Sequence, residues 1–168
     1  MIKRTPYIFS ALFLATVLVT SYVALTSAGL TNAAFTRATD DGVIRTKSAY
    51  PLRETVVRLK QDIAAKGIMF FSQIDQASLA AGADIKLRPS VLLTFGNPAL
   101  GTQFLTSNQK AGLDWPVRLL VFENEKGEVF TAYSDFVWIA RRHGIKDRDA
   151  QFKMASGVAA SITSSVTK

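Results

Sequence analysis

An α+β domain, an antiparallel sheet with helices packed on one face, is the architecture that this sequence predicts. Three observations carry it. Short apolar runs of strand length alternate with helical periodicities, one pair of strand-like runs is joined by a tight polar turn, and two helix-like segments close the chain. Of the 168 residues, 48% are apolar and 20% charged, a balance that favours a buried core over disorder. There is no cysteine, which excludes a disulfide framework, a thiolate nucleophile and a cysteine-held metal. Stability therefore has to come from packing.

The domain is expected to begin near Val43, where VIRTKS alternates weakly and suits a first strand. Pro51 then opens a helix, because proline is tolerated in a first turn and Leu52, Val56, Leu59 and Ile63 recur at helical steps; Gly67 ends it as a left-handed cap. IMFFSQI (68–74) is short enough to be a buried strand. Asp75 follows as a turn-former or cap for a brief helical segment, QASLAAG, broken at Gly82. SVLLTF (90–95) is apolar on both faces and predicts a central strand. It leads into GNPALGTQFLTSNQ, a turn and helix with Asn97 as N-cap and Pro98 at the first helical position. VRLLVFE and EVFTAY form a hairpin around Asn124–Gly127, where Gly127 supplies positive φ. Ser134 or Asp135 then caps a short helix ended by Gly144. A last helix starts near Asp147 and buries Phe152, Ala155, Val158, Ile162 and Val166.

Ahead of this domain, Lys3 and Arg4 precede an uncharged run from Ile8 to Leu25, and Thr26, Ser27 and Ala28 offer a small-residue cleavage site. Residues 1–28 accordingly predict a signal peptide, with an uncleaved amino-terminal anchor as the alternative, since the run approaches the ~20 residues of a membrane span. Residues 29–42 form a small, polar leader, and 43–168 the domain. The expected localisation is exported, periplasmic or secreted. A membrane partner enters only if the first segment is retained. Removal of residues 1–28 takes Lys3 and Arg4 and lowers the formal charge from +7 to +5. Nucleic acid is an unsuitable partner, because the compartment opposes it and no basic stretch is interleaved with stacking aromatics.

The phrases ETVVRLKQDIAAKGIMFFSQID, RPSVLLTFGNPALGT, LDWPVRLLVFENEKGEVFTAYSD and IARRHGI together resemble the domain of unknown function 302 family, over about residues 43–165. The resemblance implies a compact fold like that of the TATA-binding protein, one curved antiparallel sheet flanked by helices, and a homodimer. It implies no reaction and no cofactor. One departure matters: Gln76 stands where the family motif has histidine after the aspartate, and glutamine neither titrates near neutrality nor binds a transition metal as imidazole does.

Few groups are available for chemistry. His143 is the single histidine, so a multi-histidine zinc site is impossible and no GxSxG elbow accompanies it for a triad. Beside Arg141 and Arg142 at a helix end, His143 suits the negative pole of the dipole. As catalytic candidates only Asp75 and His143 remain, each with a structural alternative, and no metal site is indicated. Gly96, Asn97 and Thr102 in the FGNPALGT turn, with Tyr133 leaving the hairpin, are the candidate ligand-binding residues, since small residues at a helix N-terminus receive anions; an Asn-Pro cap explains the same turn without a ligand. Trp115 and Trp138 suit core packing, a pocket or a dimer contact. Two functions follow: a noncatalytic exported protein that binds a partner or a small molecule, or a small-molecule enzyme using Asp75 or His143 as acid-base.

Overall fold

The structure, a computed structural model, describes residues 41–168. The expected signal peptide and all but the end of the leader lie outside the described residues. Strands β1 (Val43–Lys47), β2 (Met69–Asp75), β3 (Ser90–Gly96), β4 (Val117–Glu123) and β5 (Val129–Ser134) form one antiparallel sheet in the order β1-β5-β4-β3-β2. The helices are α1 (Leu52–Ala65), α2 (Gln76–Ala81), α3 (Pro98–Ser107), α4 (Phe136–Arg142) and α5 (Asp149–Ser164), with a 3-10 turn at Gln109–Leu113. That turn is absent from the sequence expectations, because a single 3-10 turn has no apolar period to announce it.

β1 and β2 occupy opposite edges, and their pairings make them run in the same direction. The chain must therefore return along the whole sheet between them. Helix α1, with 14 residues, spans about 21 Å and does so. Val56, Leu59 and Ile63 on its inner stripe are buried against Val91, Leu93 and Phe95 of β3 and Leu119 and Val121 of β4, in the same core as Phe152, Ala155, Ala159 and Ile162 of α5. Phe104 of α3 stacks on Phe152 with ring centroids 4.3 Å apart, which binds the two helices together.

The caps follow the sequence. Asp75 accepts from the Ser78 amide, Asn97 from Leu100 and Asp135 from Val137. Gly67, Gly127 and Gly144 take positive φ, where a side chain would be strained. The two-residue period of the strands leaves the second face of the sheet distinct. The cross-strand row Ile74, Leu92, Leu120, Ala132 and Arg45 lies there, beside Phe122 and Phe130, whose rings stack at 6.0 Å. Ile74, Leu92, Leu120, Phe122 and Phe130 are outside the core cluster that the helices bury.

Gly96 and Gly101 are buried beneath the indole of Trp115. A Cβ at Gly101 would lie 2.2 Å from the ring and one at Gly96 2.1 Å from it. Inside a helix, glycine to alanine ordinarily stabilises by about 1 kcal/mol. Here the sign reverses. Gly101→Ala is expected to cost about 1–3 kcal/mol through overpacking, and Trp115→Ala should remove that penalty in the double mutant, a coupling that urea denaturation of the four proteins measures.

Candidate functional site

Strand pairing sorts the candidates into two places. Asp75 pairs with Val91 at one end of the sheet, while Gly96 ends β3 opposite Met69. At about 3.4 Å per residue the ends are about 17 Å apart. Asn97, Thr102, Tyr133 and His143 belong to the Gly96 end, and Asp75 stands alone at the other.

At the far end, Asp75 is fully committed to local structure. The Ser78 backbone amide, and then the Ser78 hydroxyl, hold its carboxyl below the usual carboxylate range. A carboxylate so stabilised is a weaker base. Gln76 accepts a hydrogen bond from the Ser90 hydroxyl at 2.7 Å, so the residue standing in place of the family histidine is a tie between α2 and β3.

At the near end, the chain between the 3-10 turn and β4 buries Asp114, whose side chain is 3% exposed. Four contacts satisfy its two oxygens. Arg118 Nη2 donates to Oδ1 at 3.0 Å, Arg142 Nη1 reaches Oδ1 at 3.3 Å and Oδ2 at 3.2 Å, and His143 Nε2 donates to Oδ2 at 2.7 Å. The His143 ring is buried, whereas the two guanidinium groups are about half exposed. His143 is also the C-cap residue of α4, and its carbonyl accepts from Asn108 Nδ2 at 2.8 Å. The imidazole expected to serve the helix dipole is thus held by a buried carboxylate as well. Beside this cluster Val117, Arg118, Ser134, Phe136 and Ile139 line a recess with Asp114, about large enough for a single water.

The remaining candidates hold structural positions. Asn97 is exposed and caps α3. The Thr102 hydroxyl donates to the Pro98 carbonyl at 2.7 Å. Gly96 faces the Trp115 ring. Tyr133 is buried in β5; burial first, and the Asp135 charge second, push its phenol up to about 12. Among the described residues no cluster of three or more histidine and carboxylate side chains is placed to hold a metal ion. Sequence reasoning named Asp114 only as part of the LDWP motif. Its partners Arg142 and His143 lie 28 and 29 residues away, so no local spacing reveals them.

Two outcomes follow. Asp114→Asn leaves the buried imidazole and two arginines facing an amide, and is expected to lower stability on the order of 3 kcal/mol, read as a fall in the urea midpoint. For Tyr133 the folded state holds its proton to higher pH than the unfolded chain, whose phenol titrates at 10.0. Stability contributed there is complete below pH 10.0 and is lost as pH rises toward about 12. Tyr133→Phe should therefore flatten the alkaline limb of the stability curve, checked by denaturation at successive pH values.

Comparison with known proteins agrees with this architecture. The crystal structure of an uncharacterized conserved DUF302 protein from Bacillus stearothermophilus superimposes with a TM-score of 0.68 at 15% identity, covering 74% of this chain and 98% of that one. Curated relatives include proteins named fluoride-specific ion channel FluC 1 from Brucella suis and from Brucella abortus. Each is 32% identical over 106 residues, which is 63% of this chain and 42% and 39% of theirs respectively. The chain thus spans less than half the length of these relatives. The family model described as domain of unknown function DUF302 matches residues 44–162, and the chain belongs to that family.

Proposed function

We propose that the protein is a noncatalytic, exported binding protein that engages its partner through the second face and β2 edge of its sheet, and that the partner is a second copy of itself. The single observation that carries this reading is the run of exposed apolar side chains at that edge: Met69, Phe71, Ile74, Leu79, Ile85 and Leu87 are each at least 39% exposed. Ile74 among them continues the apolar row of Leu92 and Leu120 across the second face. Contiguous apolar surface of this kind marks association sites.

The two edges differ in a way that supports strand pairing. β1 carries Arg45 and Lys47, which discourage another strand, whereas β2 has no ionised side chain before Asp75. Antiparallel pairing of β2 with its copy closes a two-fold dimer. The enzyme reading lacks this support, since Asp75 and His143 are at opposite ends of the sheet and both are bonded within the fold. The activity in the names of the curated relatives is not carried over. They are matched over less than half of their length, and no helix among the described residues is long and apolar enough to cross a membrane.

Sedimentation velocity of the purified protein tests the proposal. A dimer is expected, with Phe71→Lys/Ile74→Lys giving a folded monomer by circular dichroism. A wild-type monomer at every accessible concentration sinks it.

A further inference from the structure

The corner formed by the 3-10 turn and the end of α4, we infer, is a docking face for an anionic lipid bilayer. Lys110, Arg118, Arg141, Arg142 and Lys146 are exposed there. The Asn108–His143 hydrogen bond pins the start of the turn to the end of α4, and Arg118 donates to the Leu113 carbonyl, so these residues share one surface. Arg118 and Arg142 share the single buried charge of Asp114. Lys110, Arg141 and Lys146 have no ion-pair partner among the described residues. Asp147 is paired with Arg148 at 2.7 Å, while Asp114, Asp135 and Asp149 offset part of the five cations and leave the corner net positive. Leu113 at 65% and Val137 at 55% exposure add apolar side chains to the basic ones, the mixture that suits a headgroup region.

The point where residues 1–40 join the domain makes a bilayer the occupant. Gly42 lies against the Trp138 indole and its carbonyl accepts from the Asp135 amide at 2.8 Å, while the Arg142 guanidinium sits 5.3 Å above the same indole. The chain therefore arrives beside the helix that carries Arg141 and Arg142. Residues 26–40 span up to about 50 Å at full extension, so the uncharged run Ile8–Leu25, where retained, leaves this corner within reach of a bilayer. The opposite end carries no such excess: Glu54, Asp75, Asp84, Glu123, Glu125 and Glu128 stand there with Lys47, Arg53, Arg58, Lys86, Arg88, Lys126 and Lys168, close to balance, so an anionic surface draws the basic corner more strongly than the other end.

The test reconstitutes the full chain in vesicles of phosphatidylcholine alone and of phosphatidylcholine mixed with phosphatidylglycerol, and follows amide hydrogen exchange. Exchange over 109–118 and 136–146 is expected to slow only in the mixed vesicles and to recover in high salt. The Lys110→Gln/Arg141→Gln/Lys146→Gln variant spares the Asp114 cluster. It should shift the docked-to-undocked ratio by about a hundredfold and restore fast exchange, while β3 and β4 stay as protected as in the wild type. Equal exchange in the two vesicle types overturns the inference. So does slowing that survives the triple substitution, or slowing produced by inorganic phosphate beside phosphatidylcholine alone, which would assign the corner to free anions.

Discussion

Burial of the Asp114 carboxylate is the constraint on which the near end of the molecule depends. A carboxylate with so little access to water is tolerable only when both oxygens are fully bonded, and its donors come from β4 and from the end of α4. Those elements are thereby fixed to one another without covalent links. Asn108 extends the tie to the end of α3 through the His143 carbonyl, and Arg142 extends it through Trp138 to Gly42 at the start of β1. Three stretches of chain, around Gly42, from Asn108 to Arg118 and from Trp138 to His143, are joined at or beside this one charge. In a chain without cysteine, such a junction does what a staple does in a small secreted domain, by enthalpy of charged hydrogen bonds where a disulfide would restrict the unfolded chain.

The neighbouring Trp115 junction is its apolar counterpart. Two glycines, one ending β3 and one in α3, give the indole a flat seat that any Cβ would block. The strand, the helix and the approach to β4 are thus held at a separation set by one ring. Such close packing transmits strain readily, which is why a methyl group at Gly101 acts against its own helix propensity.

Element identity was largely legible from local pattern, and for a local reason. Asp75, Asn97 and Asp135 cap through backbone groups two or three residues ahead, and the stripe of Val56, Leu59 and Ile63 repeats within one helix. Strand order was not legible, because nothing in VIRTKS says that it pairs with EVFTAY across the whole intervening chain. The surroundings of the candidate site residues were not legible either, for the same reason in reverse. Gly96 and Gly101 carry the small-residue signature of an anion cradle, and the distant Trp115 packs against both. Arg142 and His143 read as helix-end cations, and are; that they also surround an aspartate depends on contacts with no sequence period.

The distribution of committed and uncommitted groups bears on the proposed binding role. Acid-base work needs a titrating group held near a substrate with a valence to spare. Asp75 spends its carboxylate on a cap, His143 spends Nε2 on Asp114, and the recess beside them admits about one water. What remains uncommitted is of another kind: apolar side chains along β2 and the loop before β3, and cations around the end of α4. Unmatched apolar surface is relieved by covering it and unmatched charge by an opposing field. Both are remedies that a binding partner supplies. The apolar edge and the basic corner are different surfaces, so the two proposed contacts do not compete for the same side chains.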